Sequence, residues 1–165
     1  LRTSRGLGDV YKRQIYNDNT YLEKNPTLHT EDSEFKFQNV KKFLDLIEVK
    51  KNKIKILDIG GGAGIIGKLV LEYFQKKGKL VTFHSLDLST QMLKIQKQNN
   101  PQIKKTINCS IEDCTEKNYN LILMIDVIEH IENKQSVAKC LNYLGDNIIY
   151  NIPVSYTHLR AHETS

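Results

Sequence analysis

The sequence is poor in cysteine, has no long apolar run and carries little excess charge outside its two ends; each shortage removes a class of protein. Cys109, Cys114 and Cys140 make an odd count with no C-x-x-C spacing. That excludes a disulfide framework and offers no zinc-type ligand pattern. They read as reduced, mostly buried thiols of a cytoplasmic protein. No apolar stretch approaches the roughly 18 residues that cross a bilayer, so no membrane-spanning segment is expected.

Charge needs more care. The chain has 24 basic and 19 acidic residues, a net charge of +5 and a pI near 9.0, which taken whole would suggest a polyanionic partner. The excess lies at the ends. Ser4–Gln14 reads SRGLGDVYKRQ and Val154–Thr164 reads VSYTHLRAHET. Written as codons, the reverse complement of the first encodes the second, so one inverted DNA repeat accounts for both. It resembles the transposase adapter of sequencing libraries, and residues 1–14 and 154–165 are read as non-native tails. Leaving them out removes five basic and two acidic residues, and the net charge falls to about +2. No basic footprint for nucleic acid remains, so a nucleic-acid partner is not expected. What is left, residues 15–153, is one domain's length and reads as an incomplete fragment, with residues 15–50 as an N-terminal lid and helix.

Within it, Lys53–Gly67 reads KIKILDIGGGAGIIG. A β-branched apolar run breaks into Gly60, Gly61, Gly62, Ala63 and Gly64, and helical periodicity resumes at Ile65. Strand, glycine turn and helix together aim free backbone N–H groups and a helix N-terminus at a ligand. Two readings compete. Gly62, Gly64 and Gly67 spell the dinucleotide fingerprint G-x-G-x-x-G, with Asp87 twenty positions further on, which would make a nicotinamide-dependent oxidoreductase. Asp58, two residues before the glycines, points instead to D-x-G-x-G-x-G.

The rest of the chain predicts strands alternating with helices. Asp32 or Ser33 caps a helix with Val40, Phe43, Leu44 and Ile47 on one face. A helix from Ile65 is closed by Gly78, and a strand over Lys79–Leu88 precedes a helix capped by Ser89. Short strands over Lys105–Cys109 and Tyr119–Ile125 follow. Asn133 caps a helix closed by Gly145, and the last strand spans Asn147–Ile152. This predicts an α/β fold: a Rossmann-like, doubly wound parallel sheet with helices on both faces. Ligands of such sheets bind at the carboxyl ends of the strands. There stand Asp87, whose carboxylate can accept from a ribose diol, Ser110 and Ile111 after the third strand, and Asp126 to His130 after the fourth.

These strand ends, in this order, resemble class I S-adenosylmethionine-dependent methyltransferases. Asp58 with Gly60, Gly62 and Gly64 matches their first motif, and IDVIEHIEN is similar to the D-V-x-E-H segment of many small-molecule and sugar-pathway members. The resemblance implies a seven-stranded sheet, of which five strands are encoded here, so the chain as it stands is expected to be inactive. It implies S-adenosylmethionine as cofactor, with Asp58 toward the methionyl ammonium, the three glycines giving close approach, and Asp87 on the ribose. Leu88 or Met92 would pack on adenine, Ser110 or the Ile111 backbone would face its edge, and Asp126 would flank the cofactor. His130 and Glu129 are the catalytic candidates, with His130 taking a proton from an acceptor hydroxyl. A divalent cation on Asp126, Glu129 and His130, as in some relatives, is the lesser alternative, and no metal is assigned. NPTLHTEDSEFKFQ looks like the N-terminal lid of bacterial members, with Leu28 and Phe35 where tryptophans often stand; His29 reads as a solvated loop histidine, with contact to cofactor or acceptor as the lesser alternative. The expected partner is a small-molecule acceptor, saccharide or lipid-pathway compounds included, with no membrane span and no stated oligomeric state. A domain that binds S-adenosylmethionine without catalysis stays open.

Overall fold

Apolar side chains alternate along the central strands, and that alternation divides the core in two. The first strand, β1 (Lys53–Ile59), sends Ile54 and Ile56 to one face and Leu57 and Ile59 to the other. A later strand, β4 (Leu121–Met124), is buried at every position and divides Leu121 and Leu123 from Ile122 and Met124 in the same way. A strand buried on both faces belongs in the middle of a parallel sheet. The structure, a computed structural model, describes residues 30–49 and 52–151. The two tails, Leu28 and His29 fall outside these residues.

Three more strands complete the sheet: β2 (Leu80–Leu86), β3 (Lys105–Ile107) and β5 (Ile148–Tyr150). All pairs are parallel and the order is β3-β2-β1-β4-β5. The chain therefore reverses its direction of travel across the sheet between β1 and β4, which is where ligands bind in open α/β sheets. On one face lie α1 (Ser33–Leu44) and α2 (Ile65–Lys76), whose Phe37, Val40, Val70 and Phe74 meet the first set of strand residues. Beside α2 packs α3 (Thr90–Asn99). The other face is covered by α4 (Lys134–Leu144) through Val137, Leu141 and Leu144.

Most helix ends follow the expected chemistry. The Ser89 hydroxyl accepts from the Met92 N–H at 3.2 Å, and the Asn133 side chain accepts from the Ser136 N–H at 3.0 Å. Gly78 takes the left-handed conformation (φ +74) that closes α2. Four expectations need correction. Asp32 occupies the N-cap of α1 without capping it, because its carboxylate is drawn to Lys36 at 2.8 Å. Phe43 and Ile47 do not share the buried face of α1: Phe43 is 56% exposed, and the helix stops before Ile47. The second, third, fourth and fifth strands are shorter than their apolar runs, because pairing ends where a neighbour ends; the Ile122–Met124 segment of β4, for instance, pairs with only Ile148–Tyr150.

Gly145 closes α4 for a different reason from the one its position suggests. Its backbone is extended (φ −164), a conformation open to any residue, but a Cβ there would meet the Tyr119 carbonyl oxygen at 2.6 Å. Gly145→Ala should therefore cost about 1–3 kcal/mol by forcing the chain apart at the parallel bridge between Gly145 and Tyr119. A lower urea midpoint with an unchanged slope is the expected reading, and an unchanged midpoint would show that the segment yields freely.

Candidate active site

The loop after β1 is shaped by three left-handed glycines, Gly60 (φ +62), Gly62 (φ +54) and Gly64 (φ +79). They turn the chain sharply from strand to helix, and the turn is fixed by Gly60 N–H donating to the Leu86 carbonyl and Gly64 N–H to Gly61, both at 2.8 Å. A Cβ on Gly62 would meet nothing within 4 Å, so this peptide borders open space that a ligand can fill. Gly61 and Gly67 serve another purpose. A Cβ on either would overlap Oδ2 of Asp58. Their bareness lets the Asp58 carboxylate fold beneath the turn, beside the first residues of α2.

Asp58 is 3% exposed and its carboxylate makes no hydrogen bond or ion pair among the described residues. Burial, with the like charge of Asp87 second, pushes its pKa up to about 7. The positive end of the α2 dipole offers only partial compensation. Asp87 lies at the end of β2. Burial raises it to about 6, against the Ser89 N–H and the Gln96 amide, which donate to its two oxygens at 2.9 and 3.3 Å. Two carboxylates are thus gathered at neighbouring strand ends with no cation between them. Such an arrangement is stable only at a cost, and a positively charged ligand would relieve it.

The remaining predicted residues fall into two groups. Leu88 is partly exposed and Met92 is buried, both at the start of α3. The Ser110 hydroxyl is taken up locally, donating to Asp113 at 2.9 Å and accepting from its N–H at 3.2 Å, while Ile111 is buried against the second core. On the other side of the loop, Asp126, Glu129 and His130 line a cleft of about 540 Å³ between α1 and the ends of β4 and β5. Val127 links this cleft to the glycine loop, since a Cβ on Gly60 would meet its Cγ2 at 2.8 Å. His130 is well exposed and stands 3.9 Å from Glu129.

Sequence reasoning missed what holds Asp126. This residue is left-handed (φ +57) although it is not glycine. Asn151 both accepts from its N–H at 2.6 Å and donates to its Oδ1 at 2.7 Å. Lys36 of α1 reaches its Oδ2 at 2.6 Å while also meeting Asp32. Burial alone would lower the Lys36 pKa; the hydrogen bonds it donates to the two carboxylates, with their charge, outweigh burial and hold the ammonium above its usual value. With Asp126 committed to Lys36 and Asn151, it does not join Glu129 and His130 in a cation site, and among the described residues no cluster of His, Cys, Asp and Glu is arranged to hold a metal.

A doubly wound parallel sheet, a glycine turn after β1 and carboxylates at the ends of β1, β2 and β4 define the class I methyltransferase architecture. The chain belongs to the methyltransferase domain family, which matches residues 28–147. The candidate methyltransferase 235L of Invertebrate iridescent virus 6 is 26% identical over 112 residues, 68% of this chain and 40% of that protein. Phosphoethanolamine N-methyltransferase 3 of Arabidopsis thaliana is 28% identical over 107 residues, 62% of this chain and 21% of its own length. The chain therefore spans less than half the length of either relative. Among solved structures, the citrinin polyketide synthase CMeT domain superposes with a TM-score of 0.58 at 14% identity, covering 87% of this chain and 38% of that one. The plantazolicin methyltransferase BamL gives 0.55 at 17% identity, covering 82% and 52%. These likenesses are of fold. No helix among the described residues is long and apolar enough to cross a membrane.

Proposed function

We propose that this domain binds S-adenosylmethionine across the glycine loop and the ends of β1 and β2, and directs its methyl group to a small-molecule acceptor in the cleft beside Asp126. The observation that carries the reading is the pair of under-compensated carboxylates, Asp58 and Asp87, at a loop opened by left-handed glycines. S-adenosylmethionine carries an ammonium and a sulfonium against one carboxylate, so its net charge suits this site. A nicotinamide dinucleotide would set its anionic pyrophosphate on the N-terminus of α2, directly over Asp58, and like charges would meet. The charge arrangement therefore argues against the oxidoreductase reading.

When bound, S-adenosylmethionine supplies a methyl group made electrophilic by its positively charged sulfur. The protein's own work is chiefly placement. Asp58 would hold the ammonium end, the peptides of Gly60, Gly62 and Gly64 would lie close against the methionyl part, and Asp87 would accept from the ribose diol. Leu88 and Met92 offer apolar surface for the adenine, with Ser110 and Ile111 at its edge. His130, exposed and with Glu129 beside it, would take the proton of an acceptor hydroxyl. The fold relative BamL, a plantazolicin methyltransferase, is solved with a triazolic desmethylPZN analog and SAH, and that pairing of an acceptor analogue with SAH is the precedent for the acceptor class proposed here.

Titrating the protein separately with S-adenosylmethionine and with NAD tests the reading; binding of the dinucleotide alone would overturn it. Labelled methyl transfer across a panel of small hydroxy and amino compounds then separates catalysis from binding without turnover. Asp87→Ala should weaken S-adenosylmethionine binding by about 1.5–3 kcal/mol, the value of charge-assisted hydrogen bonds. Unchanged affinity by calorimetry would remove Asp87 from the site.

A further inference from the structure

Gln96 is a polar residue on the inward face of α3 and is fully buried. Its Nε2 donates to Oδ2 of Asp87 at 3.3 Å, while its Oε1 is buried without a hydrogen-bond partner among the described residues. On its other side it supports the glycine loop: a Cβ on Gly64 would come within 3.1 Å of the Gln96 Cα and 3.3 Å of its Cβ and Cγ. Three residues on, Asn99 donates to the Ala63 carbonyl of the same loop at 2.9 Å. Residues three apart share a helix face, so one face of α3 holds both the loop and the carboxylate.

A buried amide with half its hydrogen bonding unmet is a cost to the fold, and an apolar side chain of the same size would serve packing better. Its one polar contact is to Asp87. We propose that Gln96 is a positioning residue for the cofactor site: with Asn99 it makes α3 a spacer that fixes the Asp87 carboxylate against the glycine loop. The proposal rests on the reading of this site as the S-adenosylmethionine site. Gln96 itself is too buried to touch a ligand, so it acts through the rotamer and charge state of Asp87. Oδ1 is already held by the Ser89 N–H. The Leu88 N–H also donates to this carboxylate, and fixing Oδ2 as well leaves it a single orientation.

Gln96→Met tests this, because methionine keeps the volume beside Gly64 and removes the N–H donor. The first readout needs no cofactor: the Asp87 carboxyl carbon followed by NMR across pH in the ligand-free protein. The wild-type carboxyl should titrate near pH 6. In Gln96→Met its midpoint should rise by roughly half to one pH unit, since a donor favouring the charged form is gone. The second readout is S-adenosylmethionine affinity near pH 6, expected to fall roughly three- to tenfold, with thermal stability equal or higher. Asn99→Ala should weaken affinity while leaving the Asp87 midpoint in place. A Gln96→Met protein with unmoved Asp87 titration and wild-type affinity would overturn the proposal. So would one that lost stability with its Asp87 titration unmoved, which is the mark of a packing role. If wild-type protein failed to bind S-adenosylmethionine while the Asp87 midpoint still rose in the variant, the cofactor reading would fall and the Gln96–Asp87 linkage would stand.

Discussion

Asp58→Asn should make the ligand-free protein more stable at neutral pH and at the same time strip it of most of its affinity for S-adenosylmethionine. In the unfolded chain this carboxyl titrates near 3.8, and in the folded chain near 7. Between these values the native state binds the proton that the unfolded state has lost, so stability falls as pH rises through that window and the full penalty is felt above it. Three units correspond to a penalty on the order of 4 kcal/mol. Asp87 adds a smaller penalty of the same sign, ending near pH 6. Asparagine has no such cost, so the variant should unfold several degrees higher at pH 8, and the difference should shrink toward pH 4. His84 works in the opposite direction. Burial, then the Lys55 charge, lowers its pKa, so its contribution is present above about 6.5 and is lost as pH falls through the lowered value. Ligand-free wild-type protein should accordingly be most stable in mild acid. A cationic ligand reverses the Asp58 term by favouring the charged carboxylate, so affinity should climb between pH 6 and 7.5. Removing this charge should cost about 100-fold in affinity, in keeping with the loss of one partner from a buried charge pair. Equal melting temperatures at pH 8, or full affinity in the variant, would show that Asp58 is neither strained nor part of the site.

The second large effect separates neighbouring glycines. Gly62→Val should cripple cofactor binding while leaving a folded protein, because its side chain would project into the open space beside the loop. Some instability is expected too, about 1–2 kcal/mol, since a β-branched residue is poorly suited to φ +54. Gly61→Val should do the reverse in order of severity. Its side chain would collide with the Asp58 carboxylate, so the turn itself must move and the fold should suffer first, by several kcal/mol. Comparing denaturation midpoints with cofactor affinities for the two variants checks this. A Gly62→Val protein that binds as wild type would mean that the open space is not the ligand's.

The parts of this molecule that could be read in the sequence are those decided by near neighbours. β1, the glycine turn and α2 are encoded within twenty-four consecutive residues, and the Ser89 and Asn133 caps are each settled by a residue three positions away. Asp58, Asp87 and Asp126 could be picked out because each follows an apolar run that can only be a strand. What could not be read depends on distant partners. Nothing in the local pattern says that Lys36 crosses to Asp126, or that Asn151 takes both polar groups of that residue. The five small residues Gly60–Gly64 look alike in sequence, yet the fold gives Gly61 a packing duty and Gly62 an exposed one. Gln96 reads as an ordinary helix residue, and only its burial beside a carboxylate marks it.

The sheet order has a consequence for the timing of synthesis. β1 pairs with β2 on one edge and β4 on the other, and Lys55 and Asn120, which exchange backbone and side-chain bonds at that second edge, are 65 positions apart. At roughly 5–20 residues per second, a ribosome leaves the β1 edge uncovered for roughly 3–13 s after Lys55 is made. During that interval Ile56, Leu57 and Asp58 offer free peptide groups in one of the most apolar stretches of the chain, an invitation to pair with the wrong strand. The central strand of the site is thus its most exposed element while the protein is being made, and slow codons between β2 and β4 would prolong the hazard.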